Sequence, residues 1–461
     1  MNNSGVKIEA HLIQNFAPSN LNRDDTGQPK SATFGGFRRA RISSQCTKRN
    51  ARELWRTVGT VSVGERTKKI QKLIGDRLVE DKAFMEKVPE QEDRRDGIRM
   101  FTEAYYAGSD KKKPENTSVL IFIGPEEVNA GVQAVKDLWE DRTREIEKKG
   151  KKSSETVEGI AILLKKARAF DLNNVSKKKS ADTEDVESDE GDSEANDEEV
   201  GEGKGGKNKD KRPKLKAVKE IQDTIENAKI SADIALFGRM LAEQPGRNTD
   251  GACQVAHPLS THKVDMEMDF YTAVDDLNPE EETGAGMMGV VGFNSACYYR
   301  YALVDRDQLA RNLARKTKHD NGQWVQNLKQ EDYVEADEVI KAFLEAMVYA
   351  IPTGKQNSFA AQNLPSFGLF VRRQGGVPIS LANAFAKPVR PQKDDDDLVG
   401  LSVEALTRHW DALKTVYGEQ GVKSTACFHL QQEGRLNGLK DADKKNVEEA
   451  IKAVLEVGGQ P

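Results

Sequence analysis

The stretch KSATFGGFRRARISSQCTKRNARELWR, Lys30 to Arg56, carries the basic residues Lys30, Arg38, Arg39, Arg41, Lys48, Arg49, Arg52 and Arg56 against a single acid, Glu53. Its character changes midway. The Gly35-Gly36 pair marks a tight turn or a close backbone approach. Arg38 to Ile42 suits an extended segment, and Ser43 or Ser44 offers an N-cap for the helix that follows. On that helix Ser44, Lys48 and Arg52 stand at i, i+4 and i+8, with Gln45 and Arg49 on the adjoining row. Bare amides at the helix start and cations down one flank would seat a row of phosphates. The competing reading of the same pattern is a solvated basic face.

The background makes this local excess informative. The chain has 461 residues and a formal net charge of -5, so nucleic acid cannot coat its whole surface and any polyanion must sit in a local groove. Its length suits two or three domains, or one large core with insertions. Cys46, Cys253, Cys297 and Cys427 lie far apart with no C-x-x-C pair, which argues against a zinc ribbon and a disulfide framework. No basic-then-apolar leader and no apolar run of spanning length is present, so the expectation is a cytoplasmic protein.

Working outward, VKIEAHLIQNF (Val6 to Phe16) alternates as a first strand, with Val6, Ile8, Ala10 and Leu12 on one side. From Glu53 to Arg168 the periodicity is mostly helical, broken by an apolar run, Val119 to Ile123, that fits a strand or a buried turn. Asp171 to Pro213 then loses all apolar periodicity, with an acid-dense run from Asp182 to Glu202 followed by a Gly-Lys stretch. Such composition buries too little apolar surface to offset chain entropy, and disorder is expected. Beyond Gly251 the chain turns β-rich. EETGAGMMGVVG (Glu281 to Gly292) reads as a flexible connection, FNSACYYRYALV as a core strand and EDYVEADEVIKAFLEAMVYAI as an amphipathic helix stopped by Pro352. FGLFVRRQ is a further strand, PISLANAFAKPV a strand-to-helix region, and two helices close the chain. The order predicts an α+β fold, a split α+β domain interrupted by a helical lobe.

Catalytic constellations are sparse. His257 and His262, with Asp265, have ligand chemistry, but Pro258 breaks the helix that would align them. Asp24 and Asp25 form an acid pair in a loop beside Arg23 and Lys30. GAGMMG lacks the strand-turn-helix setting of a dinucleotide loop, and PTGK lacks Walker spacing. A binding protein is the more economical reading.

Eight segments point to a family: LNRDD (21–25), FGG-x-RRARISSQ-x-x-KR (34–49), DIAL-x-GRM (233–240), DGA-x-x-x-AH (250–257), TH-x-VD (261–265), D-x-x-TAVDDL (269–277), YYRYA (298–302) and LANAFAKPV (381–389). In this order they resemble the CasC-type backbone subunit of the type I-E CRISPR Cascade surveillance complex, a branch of the RAMP superfamily. The insertion at 171–214 is a departure from typical members. The resemblance implies a right-hand shape. An RRM-like (ferredoxin-like) palm would come from 1–56 and 293–461 plus C-terminal helices, a helical fingers lobe from 57–240, and a β-rich thumb and web from 241–292.

It further implies a non-catalytic scaffold whose copies stack along a CRISPR RNA spacer and leave its bases free to pair with target DNA. The other partners would be the large, small and guide-end cap subunits of Cascade, with no metal, no membrane and no cofactor besides the guide RNA. The implied RNA contacts are Arg23, Lys30, Arg38, Arg41, Ser43, Ser44, Gln45, Lys48, Arg49 and Arg52, then Arg239 and Met240, with Lys355 and Gln356 as a second phosphate row. Ala273, Met287 and Met288 fall in the implied thumb. The alternative is a metal-dependent ribonuclease of the same superfamily, with Asp24, Asp25, His257 or His262 in its site.

Overall fold

A computed structural model describes residues 5–147, 225, 227–241, 247–273, 287–315, 328–393, 396–430 and 435–456. The acidic and Gly-Lys insertion at 171–214 lies outside the described residues. Two compact units are present: Met1–Val63 with Ser231–Arg239 and Thr249–Pro461, and Gly64–Ile230 with Met240–Asn248. No helix among the described residues is long and apolar enough to cross a membrane.

In chain order the first unit begins with β1 (Val6–Ser19), the strands β2 (Ser31–Phe34) and β3 (Phe37–Ala40), and α1 (Ser44–Val58). The second unit contributes β4 (Glu65–Thr67), α2 (Ile70–Val79), α3 (Lys82–Lys87), α4 (Gln91–Tyr105), β5 (Ile121–Ile123) and α5 (Pro125–Glu147). The first unit resumes with the helix Ala232–Phe237, then β6 (Cys253–Val255), β7 (Leu259–Ser260), β8 (Glu267–Ala273) and the long β9 (Met287–Asp305). Helices Arg306–Leu313 and Gln330–Tyr349 lead to β10 (Phe367–Gln374), helix Leu398–Tyr417, β11 (Val422–His429) and helix Val447–Leu455.

The main sheet runs β11-β10-β1-β9-β6, and every pairing along it is antiparallel. β1 is central, between β9 and β10, which explains why its alternation does not divide into one buried and one wet side. Ile13 on one face joins Tyr299, Tyr301, Phe367, Leu406 and Trp410, while Phe16 on the other packs with Ile42, Ala296 and Tyr298. Two local expectations are revised. Met287 to Gly292 is not a flexible connection but the first part of β9, paired to β8. PISLANAFAKPV forms only a short 3-10 turn, Ala382–Phe385.

The face that carries Ile13 also buries His11, whose Nδ1 lies 2.9 Å from the Tyr299 hydroxyl. Burial is the main cause that pulls its pKa down to about 3. The unfolded imidazole takes a proton near its ordinary pKa of about 6.5, so the stability from a neutral His11 is present above that pKa and lost as pH falls toward the folded value. The buried Glu9 carboxyl, raised by desolvation, works in the opposite sense. The His11→Gln chain should therefore lose about 2 kcal/mol less than the parent between about pH 7.5 and about pH 5. Urea unfolding at the two pH values measures this, and parallel pH profiles would refute it.

The second unit packs α2, α4 and α5 around Ile74, Leu78, Phe101, Tyr106, Ile123, Leu138 and Trp139. Pro125 opens α5, where its missing N–H costs nothing. Two residues on, Glu127 accepts from the Gly124 amide and pairs with the buried Arg247 at 2.9 Å.

Candidate nucleic-acid interface

The geometry starts from the glycine pair. Gly35 and Gly36, at φ 60 and 81, join Phe34 to its partner Phe37 by the two-residue turn that suits twisted hairpins. A Cβ on Gly35 would stand 1.9 Å from the Ala386 carbonyl oxygen, so the turn is pressed against the 381–389 segment. Arg39 fastens the same contact from inside, donating to the carbonyls of Ser260 and Phe385 at 2.9 and 2.7 Å. Arg38, on the opposite side of β3, is exposed.

The preceding loop is built by Asp24. Its Oδ1 accepts from the Thr26 hydroxyl and from the amides of Thr26 and Gln28, and the Thr26 bond leads in holding its pKa low. This is turn chemistry. It sets Asn22 so that its Oδ1 accepts from the Ser43 amide at 2.8 Å, and it places Lys30 against Arg41 through the Arg41 amide and Lys30 carbonyl.

Ser43 is the N-cap of α1. Its Oγ accepts from the Cys46 amide at 3.2 Å, and His257 Nδ1 accepts from the Ser44 amide at 3.0 Å. The first turn is thus capped from within, where bare amides were expected. Ser43 is buried and serves the helix; Ser44 and Gln45 reach solvent. Arg52 also departs from the expected row. It is 8% exposed, and its Nε donates to Asp233 at 2.6 Å, while Ser231 and the Ile234 amide donate to the other Asp233 oxygen. A buried carboxylate needs that cation, so Arg52 positions α1 and is turned away from any phosphate. Lys48 and Arg49 keep the outer flank: Lys48 Nζ stands 5.3 Å from the Phe237 ring centroid, and Arg49 is exposed.

Three further segments converge here. A Cβ on Gly354 would stand 2.2 Å from the Leu21 carbonyl oxygen, which sets the loop of Lys355 and Gln356 against Asn20 and Leu21. Gln356 spends its amide on the Pro352 and Ala361 carbonyls and braces that loop, while Lys355 is half-buried. Asn20 donates to the carbonyls of Gly27 and Gly292, tying the root of the β8–β9 ribbon to the Arg23 loop. Along that ribbon Ala273 pairs with Met287 and Thr272 with Met288, so the two methionines point to opposite faces. Met288 shares its face with Met268, Phe270 and Val290, each more than half exposed. Sequence reading missed these three, although MEMDF carries the alternation of Met268 and Phe270. Arg239 is buried and bridges Thr249 through its backbone. Met240 is 85% exposed and belongs to the second unit.

The histidines are committed elsewhere. His262 Nδ1 donates to the Lys263 carbonyl and Nε2 accepts from the Cys297 amide, which fixes a neutral tautomer. Among the described residues no three His, Cys, Asp or Glu side chains gather around one metal-sized point.

Residues 8–455 match the family model of CT1975-like proteins. The chain belongs to the CT1975-like family. Two solved structures share its fold. A chain of a "CRISPR RNA-guided surveillance complex, pre-nicking" is 23% identical, covers 97% of this chain and 100% of its own, and superposes with a TM-score of 0.66. A chain of a "CRISPR RNA-guided surveillance complex" is 19% identical, covers 98% and 100%, and gives 0.58. No curated protein matches.

In this CT1975-like chain several cations around the start of α1 make no salt bridge, although the charge of Lys30 is felt by Asp24. Arg23, Lys30, Arg38, Arg41, Lys48, Arg49 and Lys355 form no ion pair among the described residues, whereas Arg52 and Arg56 on the same helix do. Charges left in this state, on loops fixed by glycine contacts and buried polar bonds, are free to meet phosphates.

Proposed function

We propose that this chain is a non-catalytic CRISPR RNA-binding backbone subunit of a Cascade complex of the type I-E kind. The observation that carries the reading is the set of cations outside any salt bridge among the described residues, gathered on the β2–β3 hairpin, the Arg23 loop and the outer flank of α1. Such contacts grip a sugar-phosphate strand without reading its bases, as a protein serving any guide sequence requires. The order β10-β1-β9-β6, with α1 after β1 and the helix Gln330–Tyr349 after β9, supports an RRM-like palm. Residues 57–240 then supply the fingers, and the exposed β8–β9 ribbon, with Met287 and Met288, supplies the thumb. Copies of the chain stack along the guide and assemble in the cytoplasm with the large, small and cap subunits, and target DNA is met through the guide.

The test is purification of the chain after expression with a CRISPR array. RNA of uniform length should copurify, dissociate steeply as salt rises and stay intact with divalent metal. Absence of RNA, or salt-insensitive retention, would overturn the reading, and periodic cleavage would point to the ribonuclease.

A further inference from the structure

Arg300 lies in the middle of β9, opposite Leu12 of β1, and is 5% exposed. It has no carboxylate partner among the described residues. Its side chain makes one hydrogen bond among the described residues, to a neutral acceptor, Gln14 Oε1, at 2.5 Å. Three other buried arginines, Arg52, Arg247 and Arg373, each face an acid, while Arg39 is held by the carbonyls of Ser260, Phe385 and Ala386. Burial pulls the Arg300 pKa down to about 10, which leaves it charged at neutral pH. None of its nitrogens is both sealed from solvent and without a partner, so a further acceptor can reach the donors that Gln14 leaves unmatched.

The surroundings show where one would enter. Arg300 lines a cavity of about 10 Å³ whose other walls include Gln14, Ile42, Thr47, Pro258 and Ala350. That volume suits a single oxygen-sized guest. Ile42 and Thr47 flank the first turn of α1, which sets one wall of the cavity beside the helix start. Cys46 marks the meeting point, since Arg49, Lys30 and Arg300 all exert their charge on its thiol.

We propose that Arg300 is the buried anchor of one phosphodiester of the bound strand, receiving a phosphate oxygen through this cavity while Lys30 and Arg49 cover the same group from outside. This rests on the RNA-binding reading above. It adds a residue that lies in a core strand and outside the basic stretch.

The test compares full-length wild type, Arg300→Met, Arg300→Lys, Thr47→Leu and Lys48→Ala/Arg49→Ala for binding of a single-stranded RNA across a salt series. Thermal shifts with inorganic phosphate alone are measured in parallel. Arg300→Met should bind about tenfold more weakly, with a salt slope lower by about 0.7, while Arg300→Lys keeps the slope. Thr47→Leu fills the cavity with Arg300 in place and should lose the same slope, which keeps the idea testable if Arg300→Met does not fold. An unchanged slope in a folded Arg300→Met or Thr47→Leu chain overturns the anchor. If Lys48→Ala/Arg49→Ala still weakens binding in that case, the RNA reading stands without it. Loss of the phosphate shift with RNA binding intact also overturns it, and assigns the cavity to a free anion. Wild type that binds no RNA ends both.

Discussion

Replacing Lys48 and Arg49 together by alanine should weaken binding of single-stranded RNA about a hundredfold near ~0.1 M salt, by a similar factor for every sequence tried. Each lost charge-assisted contact costs about 1.5 kcal/mol, and about 1.4 kcal/mol is tenfold in affinity. The salt slope should fall by about 1.4, because roughly 0.7 is lost per phosphate released on a single strand. Both side chains stand on the outer flank of α1 and make no salt bridge among the described residues. Their removal should therefore leave thermal stability nearly unchanged. Arg52→Ala is the matching control, one turn along the same helix. It strands Asp233, which is fully buried, and should cost about 3–5 kcal/mol of stability. A fluorescence-anisotropy titration beside a melting curve separates the two outcomes. Equal loss of affinity in Arg52→Ala at unchanged stability would reverse the assignment of faces.

That contrast shows what the sequence disclosed and what it withheld. Helix α1, its Ser43 cap and the Gly35-Gly36 turn were legible because local chemistry decides them: a hydroxyl before a helix, and two residues without a Cβ where φ is positive. Which cations face outward was not legible at all. Periodicity puts Lys48 and Arg52 on one row, yet Asp233, distant in sequence, draws Arg52 inside. Likewise β11 escaped notice because its half-buried first part, VKST, follows a helix and carries little alternation; it is a strand because it pairs along β10. Met287 and Met288 were read as loop since glycines surround them, but β8 supplies the ladder that makes them strand. Arg300 was hidden for the same reason. In YYRYA nothing local singles it out, and only the fold shows that strand covered on both faces.

The sheet itself depends on a second buried charge pair, and its loss should be as damaging as that of the Arg52–Asp233 pair. Glu9 sits in β1, fully buried. One carboxylate oxygen accepts from Arg373 Nε at 2.7 Å; the other accepts from the Ile379 amide at 2.7 Å and the Tyr301 hydroxyl at 3.2 Å. Arg373 in turn donates to the carbonyls of Glu419 and Gln420 just before β11. One carboxylate thus joins β1, β9 and β10, and its partner reaches the approach to the edge strand. Desolvation raises the Glu9 pKa, and Arg373 is the main influence holding it down. Glu9→Leu leaves the guanidinium uncompensated and should cost about 3–5 kcal/mol. Glu9→Leu/Arg373→Met removes both charges and should recover most of that loss, giving a large coupling energy in a double-mutant cycle. Urea midpoints measure the cycle, and simple additivity of the two single changes would refute it. The pair lies on the face of β1 that carries His11 and Ile13, whereas Gln14 and Arg300 occupy the other. The recovered double variant should therefore bind RNA with the wild-type salt slope, since the face that grips phosphates is held by contacts this pair does not make.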